Sequence, residues 1–202
     1  MRAKKWVRVI SIFITAALFV SIYVTAFGAG SSQVLSFDGS QSNWAESELQ
    51  EAYDFGLTYP DVMKEFRKDI TREEFCTIVV KLHEKLTGKT ALPDDNPFTD
   101  TSNPEILKAY NLKIVKGTAP DKFSPTNKIT RQEICVMIFR ALEGALADIN
   151  KDSSGPFPFS DKDNIALWAE DAMKFAYKNQ IMKGKSTTLI APLDNTTREQ
   201  GI

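Results

Sequence analysis

The 202-residue chain is 43% hydrophobic and 25% charged, with a formal net charge of −1. Four of its 25 basic residues (Arg2, Lys4, Lys5 and Arg8) crowd the N-terminus, so the rest of the chain carries 21 basic against 26 acidic side chains, about −5. A surface with that acidic excess does not neutralise phosphates, which excludes nucleic acid as the partner. Two cysteines with no histidine near them are too few ligands for a metal site.

In chain order, the basic cluster is followed by an uncharged apolar run, Val9 to Ala26, and by Ala26-Phe27-Gly28, small residues where a signal peptidase needs them. Residues 1–28 are predicted to be a cleaved export signal; an uncleaved membrane anchor is the competing assignment. Residues 29–43, rich in Ser, Gly and Gln, read as a linker.

Beyond it the chain repeats itself. Thr71-Arg72-Glu73-Glu74 returns as Thr130-Arg131-Gln132-Glu133 and as Thr197-Arg198-Glu199-Gln200. A Thr followed three residues later by Glu or Gln is a capping box, so each copy should open a helix with its Arg in the first helical position. A cation there opposes the helix dipole. Its recurrence suggests a negative charge beside it, either a neighbouring acid or an anionic ligand taken by free helix amides and a guanidinium fork. Upstream of each tetrad runs a second recurring element: Ala52-Tyr53 with Leu57, Ala109-Tyr110 with Ile114, and Ala176-Tyr177 with Ile181. Lys116-Gly117 matches Lys183-Gly184. Each unit is predicted to be helix, Gly/Pro loop, helix, the first helix capped near its Gly. The second helix carries an apolar stripe: Phe75, Ile78, Val79, Leu82 and Leu86 before Gly88, then Ile134, Met137, Ile138, Ala141 and Leu142 before Gly144. Such stripes are core. Two-helix units cannot bury one face alone, so the copies are expected to pack on each other. The copies span 44–90, 91–150 and 151–202, joined by polar connections at 90–97 and 150–158.

Cys76 and Cys135 stand four residues after the first and second repeated Arg, on the apolar face. They read as small buried thiols in equivalent core positions, a disulfide between them being the alternative. Asp148-Ile149-Asn150-Lys151-Asp152 starts like a calcium loop but lacks the Gly and Glu that would complete one, so it reads as linker. His83 has no partner for a triad. Glu73 and Glu74, adjacent on a helix, do not face each other as an acid/base pair, and Glu74 belongs to the cap.

These motifs together resemble the S-layer homology family, whose repeat runs F-x-D, W-A, a helix, K-G, F-x-P and I-T-R-x-E. The third copy supplies Phe159-Ser160-Asp161, Trp168-Ala169, Lys183-Gly184, Pro192 and Thr197-Arg198-Glu199. The second supplies Phe98-Thr99-Asp100, Lys116-Gly117, Phe123-Ser124-Pro125 and Ile129-Thr130-Arg131. The first supplies Trp44-Ala45, Gly56-Leu57 and Ile70-Thr71-Arg72. The first copy lacks K-G and F-x-P, and the second lacks the Trp. The third stops at Ile202 as its second helix begins, which leads us to expect an incomplete third unit in a truncated product or the N-terminal piece of a longer protein.

The resemblance implies an all-α, pseudo-threefold bundle of three helix-loop-helix repeats. It implies a non-catalytic module, with no cofactor, that anchors an exported bacterial protein to the cell wall by binding pyruvylated secondary cell-wall polysaccharide between repeats. It also implies no membrane contact after signal cleavage, and a possible S-layer or fused C-terminal domain. On that basis Arg72, Arg131 and Arg198 are the expected carboxylate clamps. Asp38, Asp100 and Asp161 either accept from sugar hydroxyls or cap first helices. Trp44 and Trp168 either stack on a sugar or anchor the core. Gly117 and Gly184 either let the ligand approach the backbone or serve as C-caps. Two other functions stay open: the anchoring region of a larger extracellular enzyme, and a membrane-anchored helical scaffold.

Overall fold

The structure is a computed structural model that describes residues 35–202. The expected signal segment, and with it the cleaved-or-anchored question, lies outside the described residues. Among the described residues there are six α-helices and no β-strand: α1 (Glu46–Asp54), α2 (Arg72–Thr87), α3 (Pro104–Asn111), α4 (Arg131–Ala145), α5 (Glu170–Lys178) and α6 (Arg198–Gly201). Two 3₁₀ turns, Lys162–Asn164 and Leu167–Ala169, lead into α5. No helix among the described residues is long and apolar enough to cross a membrane.

All three repeated tetrads open helices through capping boxes, with Arg first. In α2 the Glu74 amide donates to the Thr71 hydroxyl (3.2 Å) and the Thr71 amide to the Glu74 carboxylate (2.9 Å). The Thr130 and Thr197 amides donate likewise to Glu133 (2.9 Å) and Gln200 (3.2 Å). Helix α2 stops as expected at Gly88, whose φ of 66° suits a residue without Cβ. Helix α4 does not stop at Gly144. It continues to Ala145 with Leu146 as its C-cap, because Gly144 keeps helical rather than left-handed backbone, and Gly144 packs beside the His83 imidazole. Helix α3 starts from the Asn103 side chain, which accepts from the Glu105 amide, with Pro104 in the first turn where its missing N–H costs nothing.

Helices α2 and α4 pack on one another; α3 lies on α2, and α5 on α4. The first helix of each later copy thus covers the second helix of the copy before it. Phe75, Val79, Val80, Ile106, Phe123, Ile134, Met137 and Met173 fill the shared core. Cys76 and Cys135 are buried free thiols within it. Burial pushes the Cys76 thiol far above its ordinary pKa and Cys135 up to about 12. Leu35–Asn43 lies against the first copy: Leu35 donates to the Gln50 side chain, and the Phe37 ring meets Phe66 edge-on at 5.8 Å.

The copies are also tied head to tail through the backbone. The Arg72 and Glu73 amides donate to Asn127 and Pro125 carbonyls of the second copy. Arg131 and Gln132 donate to Asp194 and Pro192 of the third, and Arg198 and Glu199 to Lys68 and Phe66 of the first. Inside this cycle the Ile70 amide donates to Thr196, Thr196 to Ile129, and Ile129 to Ile70. All three of these residues are buried, so these bonds satisfy groups that water does not reach.

Candidate functional site

The cycle creates three junctions, each presenting an Arg at the start of a helix to the loop of the next copy. The first two amides of each such helix are consumed by that loop's carbonyls. The free-amide anion site expected from sequence is therefore absent, and any anion must be taken by the guanidinium and its surroundings.

The guanidinium environments differ. Arg72 Nη1 donates to Glu133, the capping acid of the second copy, at 2.7 Å, while Nε and Nη2 donate to the Phe123 and Lys116 carbonyls. Its guanidinium lies 5.0 Å from the centroid of the Phe123 ring. Arg198 donates to Glu74, the capping acid of the first copy, and to Glu65 and the Lys64 carbonyl. Arg131 donates to the Ile190 and Lys183 carbonyls; Nη1 has no acceptor among the described residues, and no carboxylate lies within ion-pair distance of the guanidinium. At the position of Glu133 and Glu74 the third copy has Gln200. Arg131 is only 6% exposed. Desolvation lowers its pKa from the ordinary arginine value against weak help from Asp194 and Asp161. For Arg198 the same desolvation is outweighed by Glu74 and Glu65, and its pKa rises. An Arg paired with a neighbouring acid therefore describes Arg72 and Arg198. The acid comes from the following copy, and Arg131 has none.

None of the three Asp residues caps a first helix, whose N-caps are Ala45, Asn103 and Ala169; each carboxylate instead receives backbone amides of its own copy's loop. Asp100 accepts from the Phe123 and Ser124 amides (2.9 and 2.8 Å), and Asp161 from those of Ile190 and Ala191 (3.0 and 2.7 Å). Asp38 accepts from the Glu65 amide (2.8 Å) and from Ser40. Glu65, Ser124 and Ala191 occupy one register position, and each has positive φ (49°, 59° and 52°). A left-handed non-glycine residue costs roughly 1–2 kcal/mol, so each carboxylate holds a strained loop whose carbonyls in turn hold an Arg.

Gly117 and Gly184 are not C-caps, since Leu112 and Asn179 cap α3 and α5. A Cβ on Gly117 would stand 2.6 Å from the Ala119 and Lys122 carbonyls; on Gly184 it would stand 2.4 Å from Ser186 O and 2.6 Å from the Phe159 ring. These glycines tighten the loop that aims the Lys116 and Lys183 carbonyls at Arg72 and Arg131. Trp44 and Trp168 are 56% and 57% exposed, so neither is a core anchor and both offer an indole face to solvent.

The residue after each Arg, the x of the I-T-R-x-E pattern, carries a role of its own. Glu73 accepts from the Asn103 side chain at 2.7 Å, Gln132 from the Ala166 amide at 3.0 Å, and Glu199 from the Ser42 amide and hydroxyl at 2.7 and 2.8 Å. Each fixes the start of the next copy's first helix region. A repeat-wise alignment flags the position as polar in all three copies, but the partner appears only once the copies are packed. The Asp152 carboxylate of the abortive calcium loop pairs with Lys178 at 2.6 Å.

A family profile described as S-layer homology domain matches residues 93–135 and 158–200, within the second and third copies. The chain is 25% identical to an endoglucanase of Bacillus sp. (strain KSM-635) over 99% of its own length, and 27% identical to exoglucanase XynX of Acetivibrio thermocellus over 82%. It is 31% identical to cell surface glycoprotein 1 of Acetivibrio thermocellus over 58%. It spans 22%, 15% and 6% of those proteins. With two matched domains carrying the F-x-D, K-G and T-R tetrad elements whose packing is described above, the chain belongs to the S-layer homology family.

Proposed function

We propose that this chain holds itself, and any polypeptide joined to it, on the bacterial cell wall by binding a secondary wall polysaccharide that carries pyruvyl-ketal carboxylates. S-layer homology domains are anchoring rather than catalytic modules, and the chain is an extracellular cell-surface protein of that family. The observation that carries the finer reading is Arg131: a buried guanidinium held in place by two carbonyls and left without a carboxylate. Burying an unpaired cation is costly, and a ligand carboxylate entering the junction would relieve that cost with a charge-assisted bond. Trp168, exposed beside the segment that Gln132 anchors through Ala166, offers an apolar face for the sugar ring.

The test is a pull-down on purified Gram-positive walls, with and without mild acid removal of the secondary polymer and its pyruvyl groups. Binding should disappear with the polymer. Replacing Arg131 by Ala should weaken binding more than about tenfold, roughly 1.4 kcal/mol, with an unchanged helical circular dichroism spectrum. Retention on stripped walls would point instead to peptidoglycan or a protein partner.

A second reading is favoured by the two glucanase relatives, each several times longer than this chain: the chain as the anchoring region of a larger extracellular enzyme whose catalytic domain lies elsewhere in the polypeptide. Reading the coding sequence on both sides of the chain tests it.

A further inference from the structure

We infer that an exchange of Glu for Gln at two positions makes the junction between the second and third copies the one that accepts an anionic sugar, while the protein's own carboxylates close the other two. This rests on the polysaccharide-binding reading above and specifies which junction serves it.

Each junction brings together one Arg, the residue after it, and the capping residue of the following copy. Between the first and second copies these are Arg72, Glu73 and Glu133, with the Arg72–Glu133 pair at 2.7 Å. Between the third and first they are Arg198, Glu199 and Glu74, and Glu65 adds a further carboxylate 3.2 Å from Arg198. Between the second and third the same register positions hold Arg131, Gln132 and Gln200. Two junctions are thus net negative at their centre, and one is net positive. The acids in the loops do not cancel the difference: Asp161 has counterparts in Asp100 and Asp38 at the other two junctions, and Asp194 pairs with Lys185. Glu133 and Glu74 lie where an external carboxylate would have to bind, so they compete as a resident ligand at an effective concentration that no free saccharide matches. They also repel an incoming anion. Gln200 fulfils the capping duty of those acids, accepting from the Thr197 amide, while adding no charge.

The experiment is isothermal titration of the whole chain with a pyruvyl-ketal hexoside and with its methyl ester, which removes the charge and keeps the shape. The native chain should bind one equivalent of the acid and discriminate against the ester by about tenfold or more. Gln200→Glu, which installs the cap already used by α2 and α4, should cost a similar factor. The double variant Glu73→Gln/Glu133→Gln, which gives the first junction the composition of the second, should raise the stoichiometry from one to two. Thermal melts confirm folding of each variant, and Gln200→Ala removes the cap without adding charge, separating the two effects. Equal binding of acid and ester, or a Gln200→Glu variant indistinguishable from native, overturns the inference. Failure of the native chain to bind either the saccharide or intact walls overturns the polysaccharide-binding reading itself.

Discussion

Gly184 shows how little room one residue leaves. Its missing Cβ admits the Ser186 and Leu189 carbonyls and the edge of Phe159, and the neighbouring Lys183 carbonyl reaches Arg131. Gly184→Ala should lower the unfolding free energy by about 1–3 kcal/mol, the usual cost of overpacking, and should loosen wall binding by displacing that carbonyl. Urea unfolding followed by circular dichroism measures the first, and the wall pull-down the second. Several residue roles were legible in the sequence and several were not. The capping boxes were legible because their donors and acceptors lie three residues apart. The acid that pairs with each Arg was not: Glu133 is 61 residues from Arg72, and Glu74 is 124 from Arg198. The Gln in place of Glu at position 200 stood in plain view in the repeated tetrads, yet its meaning depends on a partner in another copy. The tryptophans misled toward the core because a large apolar ring reads as buried until its exposure is seen.

Among the elements, the loops between the two helices of each copy are the least regular and carry the most consequence. Each presents a left-handed non-glycine residue and is held by an Asp carboxylate accepting backbone amides. Those bonds depress the carboxylates. Asp38 is lowered by Ser40 and the Glu65 amide, and Asp100 by the Phe123 and Ser124 amides. For Asp161, burial works the other way but is outweighed by the Ile190 and Ala191 amides. A carboxylate with a depressed folded-state pKa adds stability that is complete above its ordinary pKa, 3.8 for Asp, and is lost as pH falls through the lower folded value. Glu74 behaves alike: burial raises it, Arg198 and the Thr71 amide pull it down further, and its ordinary value is 4.5. Thermal melts should therefore be level from pH 7 to about 5 and fall steeply below about 4. A melting temperature unchanged at pH 3 would remove the clamp role. The helices themselves followed from apolar periodicity. The loops did not, because a strained φ sits in no sequence pattern when the residue is Glu, Ser or Ala rather than Gly.

For the whole molecule, the cycle of joins decides how the copies depend on one another. Glu199 reaches back to Ser42, and the Arg198 and Glu199 amides to Lys68 and Phe66, so the third copy closes on the first. Glu199→Ala leaves the Ser42 amide and hydroxyl without their acceptor, and the whole cycle should loosen. Its melting temperature should drop by several degrees, about 1–2 kcal/mol, and a single transition should be kept. Two resolved transitions would mean that the copies unfold independently. The all-α class and the repeat were legible from the sequence because both are periodic properties. The order in which copies clasp one another was not, since any of the three could have faced any other.

That closure bears on how the chain acquires its structure. Most helical proteins fold quickly because their contacts are local, but the Ser42–Glu199 pair joins residues 157 apart. The clasp cannot form until nearly the whole described chain has been synthesised, so the Ser42 and Phe66 to Lys68 side of the first copy waits for its partners while α3 already covers α2. A nascent chain lacking its last tetrad should therefore be more protease-sensitive in its first copy than the full chain, and should gain that protection in one step when Arg198 and Glu199 are added.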